Sequence, residues 1–129
     1  MQSKRILIVD DMRTLQMVLP VYLVGKFYEF ETASSGTEAL EKAETFGPDL
    51  VISDIQMPDF DGIQLCRVLR RNQRFSKVPI ILMSSTLNDV AVRQRAEAAG
   101  ASALLTKPID PTALAEAVQR LMGVQAGDP

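Results

Sequence analysis

The sequence predicts an α/β domain built on a doubly wound, five-stranded parallel sheet. Short apolar runs alternate with helical segments five times along the 129 residues, which is the chain order of a parallel sheet with helical connections. Most of the runs are continuously apolar, as in strands that are covered on both faces. The composition agrees, because 47% hydrophobic and 23% charged residues are typical of a soluble globular chain.

The first two strand–helix units occupy the N-terminal third of the chain. Residues 6–9, "ILIV", predict the first strand, and a helix follows from about Met12 to Val24. Residues 27–33 alternate between apolar and polar side chains and predict the second strand. Its helix begins at Ser35, which has capping-box spacing to the glutamate three residues later, and ends at the pair Gly47–Pro48.

The third and fourth units follow without a break. Residues 50–53 are an apolar strand run, and residues 61–72 form a helix that Asp61 and Gly62 open. Residues 79–83 predict the fourth strand. A helix over residues 88–99 follows and is closed by Gly100.

The fifth unit completes the predicted sheet. Residues 103–106 form its strand, and the helix has a cap at Asp110, proline at the first helical position and its end at Gly123. Because no repeat or linker is visible, we expect one domain over residues 1–123 and a short disordered tail over residues 124–129.

Composition excludes several classes of function. A net charge of -2 gives no basic field for nucleic acid. The absence of histidine excludes His-containing catalytic dyads and triads and most transition-metal sites. One cysteine, Cys66, excludes an intrachain disulfide, and its neighbours Leu65 and Leu69 predict a buried core thiol. With no signal-peptide pattern and no apolar run approaching ~18 residues, we expect a cytoplasmic location and no membrane insertion.

Three acidic residues end two of the predicted strands. Asp10 and Asp11 end the first strand, and Asp54 ends the third. If the strand order is 2-1-3-4-5, these strands are neighbours at the switch point where doubly wound sheets bind ligands. Three carboxylates would then share one crevice and repel each other unless protons or a cation intervene. Oxygen donors favour a hard cation, namely Mg²⁺ with Mn²⁺ as a substitute.

A hydroxyl and an ammonium group end two further strands. Ser84 follows the fourth strand and Lys107 follows the fifth. Together with a carboxylate and a divalent cation, they suit the binding of a transferred phosphoryl group, and the carboxylate can itself be the nucleophile. Taken singly, Asp10 and Asp11 are explained as helix caps, Ser84 as a small residue and Lys107 as an exposed one. The joint placement at four strand ends favours the functional interpretation.

Four sequence stretches and their spacing carry a family resemblance: "ILIVDD", "DLVISDIQMPDFDG", "VPIILMSS" and "AGASALLTKP". Over about residues 4–122 the chain resembles the receiver domain of bacterial two-component response regulators, particularly free-standing CheY-like proteins. The resemblance implies the flavodoxin/CheY-like (βα)5 fold with strand order 2-1-3-4-5. It also implies that residues 1–123 are a receiver domain with no output domain attached.

The resemblance further implies a role for each acidic residue. Asp54 would accept a phosphoryl group from a phosphohistidine on a sensor histidine kinase or His-containing phosphotransfer protein. Asp11 and Asp54 would ligate Mg²⁺ through carboxylates and Gln56 through its backbone carbonyl, while Asp10 would hold water on the metal. The phosphorylated form would change a contact with an unidentified target protein. Such a protein catalyses only its own phosphorylation and dephosphorylation.

The remaining site residues correspond to the switching hydroxyl and the lysine of the family. Ser84 stands where the family has a Thr or Ser, and the Lys107–Pro108 bond resembles the usual cis peptide of the family. The chain departs from the pattern at Leu104, where family members often carry Tyr or Phe. The segment from Ser84 to Gly100 is also one residue longer than the commonest spacing. We therefore expect Ser85 or Thr86 to compete with Ser84 for the phosphate.

Two helices carry further hypotheses. The first helix has a core stripe of Leu15, Leu19, Tyr22 and Leu23 and a second apolar stripe of Met17, Val21 and Val24, with Pro20 inside the helix. The second stripe predicts a docking surface for a kinase or phosphotransfer bundle, or a contact in a homodimer. In the helix over residues 88–99, only Val90 and Val92 are apolar and larger than alanine, so we expect this helix to move on phosphorylation.

Two alternative functions compete with the phosphorylated receiver. One is an interaction module of the same fold that acts without phosphorylation, although such proteins usually lose an acid or the lysine. The other is an Asp-nucleophile phosphatase, which commonly needs a second aspartate where this chain has Gln56. A flavin site would lack the phosphate-binding loop after the first strand, because Asp10 and Asp11 stand there.

Overall fold

The computed structural model describes residues 3–23, 27–57 and 59–123. Within these residues, five strands alternate with five helices, as the apolar runs predict. The strands are β1 (Lys4–Val9), β2 (Tyr28–Ala33), β3 (Leu50–Asp54), β4 (Ile80–Ser84) and β5 (Ala103–Thr106). The helices are α1 (Arg13–Tyr22), α2 (Gly36–Phe46), α3 (Gly62–Arg71), α4 (Val90–Ala98) and α5 (Pro111–Met122).

The strands form one parallel sheet in the order β2-β1-β3-β4-β5. This confirms the predicted order 2-1-3-4-5. In the register of β1 and β3, Val9 pairs with Ser53, so the residues that follow the two strands emerge side by side. The sheet therefore brings the acidic residues of β1 and β3 to one edge.

Helices cover both faces of the sheet, and each face has its own core. Ile6 and Ile8 of β1 pack in the core that includes Leu19 of α1 and Leu114 of α5. The alternate β1 residues pack in the core that includes Cys66 of α3 and residues of α2 and α4. Because central strands are buried on both sides, their sequences read as continuous apolar runs.

Cys66 lies in the core, as its apolar neighbours predict. The side chain is fully buried, and its Sγ lies 3.4 Å from the backbone oxygen of Ala99. Burial raises the pKa of the thiol, so little reactive thiolate is present at neutral pH. A packing role for Cys66 is consistent with both observations.

Two helix boundaries differ from the prediction. Helix α4 begins at Val90 rather than residue 88, because Asp89 is its N-cap and accepts a 2.9 Å hydrogen bond from the amide of Ala91. Helix α1 ends at Tyr22, and it includes Pro20 as expected. Val24, where the helix was predicted to end, lies outside the described residues, as does the predicted tail over residues 124–129.

The caps of α2 and α3 also refine the prediction. The Ser35 hydroxyl accepts from the Glu38 amide at 3.1 Å, but the Glu38 carboxylate accepts from the amide of Ser34 instead of Ser35. The expected capping box at α2 is therefore only half formed. A complete capping box occurs at α3, between Asp61 and Gln64.

Candidate functional site

Three carboxylates meet at the carboxyl ends of β1 and β3. Asp10, Asp11 and Asp54 each place a carboxylate oxygen within 4.8 Å of the others. Asp10 is fully buried and Asp54 is 6% exposed, whereas Asp11 is exposed. The site therefore has two carboxylates set into the protein and a third at its mouth.

Asp10 is bonded to the turn that leads into α1. Its Oδ1 accepts a 2.8 Å hydrogen bond from the amide of Met12, which occupies the N-cap position of α1 without a side-chain cap bond. Burial raises the pKa of Asp10, against the opposing effects of this hydrogen bond and of the nearby Lys107 ammonium. The simple capping role that the sequence allowed for Asp10 is thus replaced by a turn contact beside the site.

Lys107 joins the two deeper carboxylates. Its Nζ lies 2.7 Å from Oδ2 of Asp54 and 3.3 Å from Oδ2 of Asp10. Burial alone would lower the pKa of Lys107, but the hydrogen bond to Asp54 and the charges of both carboxylates raise it overall. The Lys107–Pro108 peptide is cis, as the resemblance implies.

Ser84 reaches the same edge but directs its hydroxyl elsewhere. The residue is 1% exposed, and its Oγ lies 2.8 Å from Oγ1 of Thr86 and accepts from the Thr86 amide at 3.0 Å. Ser85 is exposed. The predicted competition of Ser85 or Thr86 with Ser84 for the phosphoryl group stays a prediction.

Gln56 follows Asp54 at a tightly packed turn. Its amide donates to Asp54 Oδ1 at 3.2 Å, while its side chain is exposed. The amide of Gly62 donates to the oxygen of Ile55 at 2.7 Å, and a Cβ at Gly62 would lie 2.3 Å from the backbone oxygen of Asp54. Only glycine allows α3 to begin this close to the end of β3.

The contacts of two residues near the site were not predicted from the sequence. The Asp59 carboxylate accepts from the amides of Gly36 and Thr37, at the N-terminus of α2. The Gln16 side chain donates to the backbone oxygen of Asp10 at 2.7 Å. Both contacts join elements that are distant along the chain, so spacing within the sequence gives no signal of them.

The side chains of the cluster fit a hard divalent cation. The carboxylates supply only oxygen donors within a small volume, and the Lys107 ammonium compensates part of their charge. Oxygen donors in this arrangement suit Mg²⁺ or Mn²⁺. No helix within the described ranges is both long and apolar enough to cross a lipid bilayer.

A cavity of about 600 Å³ lies beside the site, between the β4–α4 connection and β5. Its lining includes Leu104 together with Leu87 and Arg93. The Arg93 guanidinium donates to the backbone oxygen of Leu87 at 2.8 and 3.1 Å, which closes the first turn of α4 against the preceding loop. Leu104 is half-buried.

Comparison with known proteins identifies similar chains. A family model described as the response regulator receiver domain matches residues 6–119. The response regulator PleD of Caulobacter vibrioides is 36% identical over 119 residues, which is 92% of this chain and 26% of PleD. The alkaline phosphatase synthesis transcriptional regulatory protein PhoP of Bacillus subtilis is 37% identical over 84% of this chain and 44% of PhoP. The chain thus spans between about a quarter and a half of these relatives.

Solved structures show the same arrangement of strands and helices. Chemotaxis response regulator CheY4 of Vibrio cholerae has a TM-score of 0.85 at 31% identity, over 93% of this chain and 99% of that one. The signal receiver domain of a signal transduction histidine kinase from Syntrophus aciditrophicus has a TM-score of 0.86 at 35% identity, over 98% and 96% of the two chains.

Proposed function

The chain belongs to the response regulator receiver family, and we propose that Asp54 is the residue on which it is phosphorylated. A receiver domain of a two-component system is a phosphorylation-dependent signalling switch and not a classical enzyme. The observation that supports Asp54 is its position. The carboxylate is 6% exposed at the end of β3, beside two further acids and 2.7 Å from the Lys107 ammonium.

The phosphoryl group comes from a partner protein. Receiver domains imply a phosphodonor such as a histidine kinase, and we assign the donor here to a phosphohistidine of a sensor kinase or a phosphotransfer protein. The chain contains no histidine of its own. An imidazole on the partner therefore has to reach the mouth of the site, where Asp11 is exposed.

Different residues of the site serve different parts of the phosphoryl transfer. A carboxylate oxygen of Asp54 attacks phosphorus, the P–O bond forms and the P–N bond breaks, and the imidazole leaves with the bonding electrons. The Lys107 ammonium already contacts Asp54 and offsets the added negative charge. Ser84 supplies a further donor once its hydroxyl leaves Thr86.

Receiver domains typically bind Mg²⁺ at an acidic pocket, and the cluster of this chain fits that ion. The residues that would hold it are Asp11 and Asp54 through carboxylates and Gln56 through its backbone carbonyl. Asp10 would orient water bound to the metal. When bound, Mg²⁺ or Mn²⁺ supplies positive charge to the phosphoryl oxygens.

The contacts that a phosphoryl group would add supply enough free energy to shift a two-state equilibrium. A phosphoryl group adds roughly -1.5 to -2 of charge and three acceptor oxygens. Moving an equilibrium from 1:99 to 99:1 takes about 5.5 kcal/mol. Two or three charge-assisted hydrogen bonds at about 1.5–3 kcal/mol each reach that range, and Ser84 and Lys107 are their sources. The output is a changed contact with an unidentified target protein.

An exposed apolar stripe on α1 supports a docking surface for the phosphodonor. Met17 and Val21 are 68% and 64% exposed, one helical turn apart, and Met12 beside Asp11 is 54% exposed. This stripe runs toward the mouth of the site from which the imidazole must enter. Val24, the third predicted member of the stripe, lies outside the described residues.

Charged substitutions test this surface. Met17→Glu and Val21→Glu should slow transfer from a phosphohistidine protein while labelling by acetyl phosphate stays at the wild-type level, because the small donor needs no docking. Thr45→Glu, at an exposed polar position of α2 on the other face of the sheet, is the control. Unchanged transfer from the protein donor would count against the surface, and a change of oligomeric state would assign it to a homodimer instead.

The phosphorylation itself is tested by incubation with acetyl phosphate and Mg²⁺, read by intact mass. Wild type should gain one phosphoryl group, while Asp54→Asn and wild type in EDTA should gain none. A wild type that stays unmodified would favour an interaction module that acts without phosphorylation. Equal labelling of Asp54→Asn would move the acceptor to another residue.

A further inference from the structure

The N-terminus of α2 is hydrogen-bonded to the connection that follows β3, and Ser34 just before it is hydrogen-bonded to α1. One contact comes from Asp59, in the connection between β3 and α3. The other comes from Ser34, which precedes α2 and accepts a 3.0 Å hydrogen bond from the Gln16 side chain. Gln16 also donates to the backbone oxygen of Asp10 at 2.7 Å. A single helix end is thereby bonded to the surroundings of Asp10 and of Asp54.

Asp59 makes the more extensive of these contacts. Its Oδ1 accepts from the Gly36 amide at 3.0 Å, and its Oδ2 accepts from the Thr37 amide at 2.9 Å and from the Thr37 hydroxyl. The first-turn amides of a helix have no partner within the helix and carry its positive dipole end. The Thr37 hydroxyl, followed by these amides, holds the pKa of Asp59 well below its usual range, so the carboxylate is ionised at neutral pH.

A steric contact reinforces the polar one. The ring of Phe60 lies so close over Gly36 that a Cβ there would come within 2.7 Å of it. The Phe60 amide also donates to Asp59 Oδ1 at 2.7 Å. Asp59 and Phe60 together fit the start of α2 only because that helix begins with glycine.

These contacts hold the segment that contains Gln56. Before Gln56, the Ile55 amide donates to the backbone oxygen of Met83 at 2.9 Å. After it, Asp59 is bonded to α2. The side chains of Gln56 and Asp59 are exposed, whereas Met57 and Phe60 are partly buried against the core. Among the described residues, the hydrogen bonds of Asp59 add polar contacts to this packing on the later side of the Gln56 carbonyl.

We propose that Asp59 is a positioning residue for phosphorylation, because its bond to the N-terminus of α2 fixes the backbone carbonyl of Gln56 where a divalent cation binds. The role rests on the proposed function for the identity of the metal ligands. Asp59 itself stays on α2 and does not ligate the metal.

The test compares metal binding and backbone exchange in wild type and Asp59→Ala, both without a phosphoryl donor. Mutation of residues that orient a metal ligand typically weakens metal binding by 10–100-fold, and we expect about 10-fold weaker Mg²⁺ binding by calorimetry. Mn²⁺ binding followed by electron paramagnetic resonance should show the same change. The amides of Gly36 and Thr37 and the segment around Gln56 should exchange hydrogen faster in the variant.

Two further variants separate positioning from a general loss of structure. Ser35→Ala removes the side-chain cap of α2 but leaves Asp59 in place, so it should retain wild-type Mg²⁺ affinity. Asp59→Asn keeps one acceptor oxygen for the Gly36 and Phe60 amides and should bind Mg²⁺ with an affinity between those of wild type and Asp59→Ala. Labelling of Asp59→Ala by acetyl phosphate should be slow at low Mg²⁺ and recover at saturating Mg²⁺.

Wild-type Mg²⁺ affinity in a folded Asp59→Ala protein would overturn the proposal. Equal losses in Ser35→Ala and Asp59→Ala would also overturn it, since they would assign the effect to the stability of α2. Because binding and exchange are measured without phosphorylation, they decide the role of Asp59 even if Asp54 proves not to be the acceptor.

Discussion

Lys107 is the residue that balances the charge of the candidate site. Its ammonium contacts Asp54 and Asp10, and its side chain is only 19% exposed. Breaking a buried ion pair by removing one partner leaves an uncompensated charge, which commonly costs about 3–5 kcal/mol. Partial exposure of Lys107 should reduce that cost, and a bound cation should offset it further.

We therefore expect Lys107→Met to lower the free energy of unfolding by up to about 3 kcal/mol in EDTA, measured by urea denaturation. Adding Mg²⁺ should stabilise this variant more than it stabilises wild type, because the cation replaces the missing positive charge. Lys77→Met, at an exposed position, is the control. Equal losses in the two variants would mean that Lys107 does not balance the site.

Asp59 gives a pH dependence with a defined sign. The folded-state pKa of Asp59 is lowered by the Thr37 hydroxyl and the amides of α2. The contribution of Asp59 to stability is therefore present above the unfolded pKa of about 3.9 and is lost as the pH falls toward the folded pKa. The difference in unfolding free energy between wild type and Asp59→Asn should be constant near neutral pH and shrink below about pH 4. Urea denaturation across pH measures it, and a difference that grows on acidification would contradict the contact.

Among the elements, α4 is the least anchored helix facing the site. Its only buried residue is Ala96, and Val90 is 60% exposed. The two ends of the helix are held differently. After its C-terminus, the Gly100 oxygen accepts from the Arg70 guanidinium at 3.0 and 2.9 Å, whereas the N-terminal side is closed by Arg93 bonding to Leu87. The Ser84–Thr86 bond lies at this second end.

We expect α4 to respond when the Ser84 hydroxyl changes its hydrogen-bond partner. Addition of beryllofluoride with Mg²⁺ should alter hydrogen exchange across residues 84–106, since the loop before α4 loses its contact with the Ser84 hydroxyl. The C-terminal half of α2, residues 41–46, lies away from the site and serves as the internal reference. Unchanged protection across residues 84–106 would contradict the response.

Much of each element could be predicted because its signals are local. Strands β1, β3 and β4 are covered on both faces, so their continuous apolar runs indicate them directly. In the same way, Asp61 and Asp110 indicate the starts of α3 and α5, which they cap. Helix α4 begins two residues later than predicted, because Asp89 is its N-cap. The contact of Asp59 with α2 spans more than twenty residues of chain, and the rotamer of Ser84 depends on Thr86, so neither could be predicted from spacing.

For the whole molecule, the arrangement of the sheet explains why the acids meet. Strand order 2-1-3-4-5 makes β1 and β3 neighbours, and the site residues of four strands reach one edge of the same sheet. The repulsion among the carboxylates is a cost of folding that a bound cation relieves. Stability of the whole domain should therefore depend on Mg²⁺.

A cation that binds only the folded state stabilises it by about 2.7 kcal/mol at 100 times its dissociation constant. We expect the wild-type unfolding free energy to rise with Mg²⁺ on this scale, and Asp11→Asn to lose most of the rise because it removes a proposed ligand. Glu41→Gln, which removes an exposed carboxylate of α2, should respond like wild type. Urea denaturation over a Mg²⁺ series measures the effect, and an unchanged Asp11→Asn response would exclude that ligand.

We assign the phosphoryl group to Asp54, and chemical localisation can identify the residue that carries it. Borohydride reduces an acyl phosphate of aspartate to homoserine, which peptide mass spectrometry assigns to a position in the chain. After labelling with acetyl phosphate and Mg²⁺, we expect homoserine at position 54 and nowhere else. Homoserine at Asp10, Asp11 or Asp59, or none in a fully labelled protein, would contradict it.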